Sequence, residues 1–107
     1  MDLSRLGRFS EPALLIMVSL AEGPKHGYLI LNDIEALTGE RPGPGTLYGA
    51  LTRLQSIGLI EALPPVERRQ PFQLTDEGRR VLSIQISTLK RVADTGVMRL
   101  QAMGGAL

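Results

Sequence analysis

A chain of 107 residues, 43% hydrophobic and 21% charged, has the size of one domain with one core and leaves no room for a separate catalytic domain. The 12 Lys and Arg against 11 Asp and Glu give a net charge of +1, so a nucleic-acid partner would have to be read from where the cations lie and not from their total. No Cys and one His exclude cysteine zinc sites, disulfide scaffolds and cysteine nucleophiles, and they fit a reducing, cytoplasmic setting.

The first predicted element is a helix from Glu11 to Glu22, with Pro12 in its first turn, where a missing N–H costs nothing, and Gly23-Pro24 ending it. Leu14, Leu15, Ile16, Met17, Val18 and Leu20 point in nearly every direction, which predicts a buried central helix. Arg5 and Arg8 ahead of Ala13 to Leu20, with Ser19-Leu20-Ala21 behind, imitate a secretory signal. Glu11 interrupts that approach, and cleavage there would delete the most apolar segment of a small core, so the run is read as core. No run reaches the roughly 18 apolar residues of a membrane span.

A second helix follows from His26 to Thr38, with Ile30, Ile34 and Leu37 at helical spacing and Gly39 as its stop. Gly39 to Gly45 is too rich in Gly and Pro for regular structure. It is not a nucleotide-binding loop, because no Lys-Ser or Lys-Thr follows the last Gly. The third helix opens at Pro44 or Gly45 and ends at Gly58. Leu47, Leu51, Leu54 and Ile57 form its inner face, and Thr46, Tyr48, Gly49, Thr52, Arg53 and Ser56 its outer face.

Leu59 to Leu63 and Arg69 to Leu74 read as a hairpin around Pro64-Pro65-Val66-Glu67-Arg68. Pro71 is expected on an outer edge, with its missing N–H toward solvent. Thr75 caps a fourth helix reaching Met103, with Asp76 and Glu77 where the helix dipole favours negative charge. Leu82, Ile86, Leu89, Ala93, Gly96, Leu100 and Met103 step by four and three, a coiled-coil seam that predicts pairing with a second copy. The fold class is therefore mostly α with a small β-hairpin. Residues 1–74 form a winged helix-turn-helix and residues 75–107 a C-terminal dimerisation helix.

Four segments carry a family resemblance: Glu22-Gly23-Pro24-Lys25-His26-Gly27-Tyr28; Gly45-Thr46-Leu47-Tyr48 followed by Ala50-Leu51 and Arg53-Leu54; Gly58-Leu59-Ile60; and Leu74-Thr75-Asp76-Glu77-Gly78. In their order and spacing the chain resembles the PadR transcriptional regulators, over about residues 13 to 90. The resemblance implies a homodimeric repressor on a near-palindromic operator, the third helix in the major groove and the wing against the backbone. In some such regulators an apolar or aromatic effector releases the DNA. The sequence departs from that pattern at Gly49, where the family usually has Pro, in the short wing run Arg68-Arg69-Gln70-Pro71-Phe72, and in having no Trp in the last helix.

Phosphate binding needs donors on one face. Lys25, Arg41, Arg53, Arg68 and Arg69 fall on the edges a winged helix turns to a duplex. With about four phosphates neutralised per protomer, a dimer is expected to show a log–log salt slope of about −7. Tyr28 and Tyr48 can lay rings on the core and offer hydroxyls to phosphate, Thr46 can cap or donate, and Thr52 and Gly49 share the outer face of the third helix. The dimer contact is expected at Leu82, Ile86, Leu89, Ala93 and Leu100. Gly96, Val97, Met98 and Leu100 could line space for a small apolar effector. No catalytic grouping, cofactor motif or metal set is found, and His26 has no second His or Cys beside it. The reading is a double-stranded-DNA-binding regulator that is not an enzyme and has no membrane partner. The competing reading is a winged-helix module that binds protein instead of DNA.

Overall fold

In a computed structural model of the chain, residues 11–104 are described; Arg5 and Arg8 lie outside them. The order is α1 (Pro12–Leu20), β1 (Lys25–His26), α2 (Gly27–Thr38), α3 (Pro44–Ser56), β2 (Ile60–Ala62), β3 (Pro71–Leu74) and α4 (Asp76–Ala102). Three helices form a compact head with a small sheet on its flank, and α4 extends the molecule to 54 × 27 × 20 Å.

The core lies where α1, α2 and α3 converge. Ile16, Ile30, Ile34, Leu47, Leu51 and Ile60 have almost no exposed surface, and Met17, Leu20, Leu31, Leu54, Phe72 and Leu82 complete the cluster. Ala13, Leu14, Leu15 and Val18 are only partly buried, so one side of an all-apolar α1 is left half covered by its own protomer. Two positions differ from the helical periodicity. Leu37 is 56% exposed in the last turn of α2. Ile57 is 61% exposed because α3 ends at Ser56, and Ile57, as its C-cap, has left helical geometry. Gly58 then turns the chain at φ +80°, and the Leu59 N–H returns to the Leu54 carbonyl at 3.0 Å.

The sheet has three strands, ordered β1-β3-β2, all antiparallel. The hairpin reading lacked β1: Lys25 pairs with Phe72 and His26 with Pro71, so the second helix begins at Gly27. β3 is thus the central strand, which corrects the expectation for Pro71. The Pro71 carbonyl accepts from the Leu63 N–H at 2.9 Å. A residue's N and O point to the same side of a strand, so the missing N–H faces β2 and not solvent.

β1 is pinned by an ion-pair cluster beneath it. The Lys25 ammonium donates to the Ser19 carbonyl at 2.7 Å, the Ser19 hydroxyl at 3.0 Å and Asp33 at 3.0 Å, with Glu22 at 2.6 Å. Burial pulls the Lys25 pKa down, but Glu22 and Asp33 outweigh it and leave it raised. The Ser19 hydroxyl and then Lys25 hold the Asp33 carboxyl below its ordinary value of 3.8. A lowered carboxyl pKa stabilises the fold above the unfolded value, and this stability is lost as pH falls through the folded one. Asp33→Asn is expected to cost about 1 kcal/mol at neutral pH. The gap to the parent should close in urea titrations as pH drops below 4. A gap unchanged with pH would show that the charge of Asp33 contributes nothing.

The last junction joins three elements. Thr75 caps α4, its hydroxyl accepting from the Gly78 N–H at 3.0 Å and donating to the Gly58 carbonyl at 2.7 Å, while its own N–H reaches the Leu59 carbonyl at 3.1 Å. Gly78 is buried against Leu59, so α4 starts pressed onto the turn that leaves α3. Leu82 is 4% exposed in the protomer's own core, which corrects its assignment to the dimer seam: the first turns of α4 belong to the head. Ile86 and Leu100 remain 45% exposed.

Candidate nucleic-acid interface

The surface that gathers most of the expected contact residues lies between the start of α2, the middle of α3 and the wing formed by β2, β3 and their loop. Its centre is an open groove of about 610 Å³ lined by His26, Gly27, Tyr28, Tyr48, Arg68, Arg69, Gln70 and Phe72. Gly27 makes the close approach possible, because a Cβ there would meet the Tyr48 hydroxyl at 2.6 Å. Tyr48 therefore leans from α3 across the first turn of α2, and Tyr28 stands beside it. Both rings remain more than half exposed, at 52% and 59%.

The wing supplies the cations. Val66 and Arg69 exchange backbone hydrogen bonds of 2.9 Å, closing a two-residue turn at Glu67 and Arg68 with φ +50° and +66°. Such a turn wants Asn or Gly at both positions, and a Glu and an Arg there are strained. The turn lifts Arg68 to the rim of the groove. Arg69 reaches back so that its guanidinium lies 3.1 Å from His26 Nε2 and donates to it. Glu67→Asn with Arg68→Gly is expected to raise stability by about 1 kcal/mol while removing one donor. A thermal melt that does not move would show that the turn stores no strain.

Along α3, Thr46, Gly49, Thr52 and Arg53 are all exposed on the outer face. The Thr52 hydroxyl donates to the Tyr48 carbonyl at 2.9 Å, leaving its oxygen as an acceptor. No side-chain partner of Arg53 occurs among the described residues. Nothing lies within 4 Å of where a Gly49 Cβ would sit, so packing inside the protomer does not require that glycine.

Two expected contacts are committed elsewhere. Lys25 points into the cluster under β1, its three protons spent on Ser19, Glu22 and Asp33. Arg41 lies along α2, donating to Asn32 at 2.8 Å and Glu35 at 3.3 Å, with its guanidinium 5.5 Å from the Tyr28 ring centre. It braces Tyr28 from behind. His26, Gly27 and Gln70 also line this surface and are not among the contacts expected from the sequence. Pro71 was the available signal for Gln70, since a proline inside a strand leaves a carbonyl opposite it without a donor.

Comparison with known proteins places this geometry. The model of the transcriptional regulator PadR-like family matches residues 16–84, which spans the second half of α1, the sheet, both α2 and α3, and the head-bound start of α4. The chain belongs to the PadR-like family. This PadR-like chain is 41% identical over 86 residues, 80% of its length, to a 37.1 kDa protein of a Streptomyces fradiae transposon. It spans only 25% of that relative. Among solved structures it is similar to a PadR family transcription regulator from Clostridium difficile, with TM-score 0.74, 26% identity, and 85% of this chain and 99% of that one covered. It also shares its fold with a transcriptional regulator from Clostridium thermocellum, at TM-score 0.73 and 23% identity, covering 89% and 93%. The PadR-like fold is a winged helix with a long last helix, as the order and spacing of segments predicted. Among the described residues no helix is long and apolar enough to cross a membrane, and no cluster of His, Cys, Asp and Glu could hold a metal ion.

Proposed function

We propose that the chain is a sequence-specific DNA-binding transcriptional regulator that works as a homodimer and represses from a near-palindromic operator. The observation that carries this reading is the convergence of Arg68, Arg69, Tyr28 and Tyr48 on one open groove beside the exposed outer face of α3. Membership of a family of transcriptional regulators supports it. In this reading Arg68 and Arg69 and the tyrosine hydroxyls hold phosphates, and α3 enters the major groove with Thr46, Gly49, Thr52 and Arg53 nearest the bases. Small side chains at 46, 49 and 52 let the helix sit deep, and Arg53 is its long donor.

Pairing is supported by α4. Beyond the head it exposes Ile86, Ala93 and Leu100 along one line, with Leu89 half buried between them. That line continues toward the head as a groove of about 520 Å³ lined by Leu20, Pro24, Leu74, Leu82 and Ile86. A second copy covering this line also reaches the half-covered side of α1. With Lys25 and Arg41 spent inside the protomer, three arginines remain per copy. The expected log–log salt slope then falls from about −7 to about −5 for six phosphates.

The test is retention of a duplex from the DNA upstream of the chain's own gene, searched for an inverted repeat, across a salt series, with the oligomeric state measured in parallel. Salt-dependent retention by a dimer is expected. A monomer, or a dimer that retains no duplex at low salt, would end this reading.

A further inference from the structure

The base of the wing has a defect built into its ladder. Leu63 and Pro71 face each other as a hydrogen-bonded pair, but only half the exchange is made: the Leu63 N–H donates to the Pro71 carbonyl at 2.9 Å, and Pro71 has no N–H to return. The side chain of Gln70 stands in that gap. Its amide nitrogen donates to the Leu63 carbonyl at 2.5 Å and to the Pro71 carbonyl at 2.9 Å, so one NH2 group serves both carbonyls of the broken rung. Residues 64–70 beyond this rung hold no other ladder bond to the sheet; the Val66–Arg69 exchange only closes the turn on itself.

From this geometry we infer that Gln70 is the surrogate donor that fixes the wing's working conformation, a positioning residue for Arg68 and Arg69 that does not itself touch DNA. The inference rests on the DNA-binding reading above for its functional half and on the rung alone for its structural half. Gln70 is exposed and close to the groove, where a glutamine would ordinarily be taken as a base or phosphate donor. Both protons of its amide are already spent on backbone. Without them, the Leu63 carbonyl faces a ring nitrogen that cannot donate, and the arm carrying Arg68 keeps one backbone bond to the sheet, beside the Arg69 side-chain contact with His26.

The geometry also names its own repair. A residue with an N–H at position 71 restores the missing bond and makes the glutamine dispensable. The experiment compares the parent chain, Gln70→Ala, Gln70→Glu, Pro71→Val and the double variant Gln70→Ala with Pro71→Val, by amide hydrogen exchange without DNA and by retention of the upstream duplex. Loss of one such rung is expected to speed exchange at Leu63, Val66 and Arg69 about tenfold in Gln70→Ala. It should weaken duplex binding by a similar factor of about ten, with Gln70→Glu at least as severe because a carboxylate would face two carbonyl oxygens. The double variant should return both measurements to within about twofold of the parent.

Unchanged exchange in Gln70→Ala overturns the inference whatever the DNA result. Duplex binding lost in Gln70→Ala and not regained in the double variant overturns it too, because the glutamine then acts on DNA directly. If the parent chain retains no duplex, the regulator reading fails, and the exchange measurements still decide whether Gln70 mends the rung.

Discussion

Replacing Gly78 with Ala is expected to be the most destabilising single change in this protein. In an exposed helix interior the same change stabilises by about 1 kcal/mol, because Ala is the better helix former. Here a Cβ would overlap the Leu59 carbonyl oxygen and sit 3.0 Å from its carbon, and both belong to backbone that cannot rotate away. Leu59 is itself held from two sides, its N–H on Leu54 and its oxygen on the Thr75 N–H. Relief requires α4 to lift off the head, which withdraws Leu82 from the core and pulls the Thr75 cap from Gly58. A loss of about 3 kcal/mol or more is expected, a large part of the stability of a domain this size. Gly49→Ala is the matching control: α3 has open space there, so the denaturation midpoint should rise. If Gly78→Ala leaves the urea midpoint unchanged, α4 does not sit against Leu59 as described.

The second large effect is expected at Arg53, Arg68 and Arg69, for which no carboxylate partner occurs among the described residues. Changed together to Ala they remove six cations from a dimer, lowering the magnitude of the salt slope by about five and the affinity at 0.1 M salt on the order of a thousandfold. None contributes to the core, so the melting temperature and dimer content should hold. Binding that survives with its salt slope intact would mean that phosphates are held elsewhere, and the groove beside Tyr48 would lose its proposed role. Changed singly, Arg53 is expected to relax sequence preference, because the proposed docking puts α3 nearest the bases; Arg68 and Arg69 should weaken all duplexes alike.

Much of the framework could be read from residues before coordinates. Pro44 behind Gly43 starts α3, Gly39 and Gly58 end helices at positive φ, and Thr75 caps α4 with its side chain on Gly78, each for a local reason that the neighbouring sequence carries. What escaped was decided by partners far along the chain. β1 has two residues and no alternation of its own, and it exists because β3 lies beside it. Lys25 looks like a free cation in sequence. Only the packing of α1 against α2 brings Ser19 and Asp33 to it, from six residues before and eight after. Pro71 was placed on an edge by a sound rule, and the structure instead meets the rule's demand with a neighbouring side chain. The groove was legible in part: Tyr48 and the wing arginines could be nominated, but their meeting over Gly27 depends on a close approach that no spacing reveals.

The junction at Thr75 has one more consequence. It fastens α4 to the turn at the end of α3 by two hydrogen bonds and a glycine contact, so the rod of 27 residues, about 40 Å long, behaves as a lever fixed to α3. A swing of about 5° at one end of such a lever carries the other about 3.5 Å, comparable to the rise of one base pair. In the proposed dimer, whatever alters how two such rods cross would therefore reset the distance between the two α3 helices, with no rearrangement inside either head.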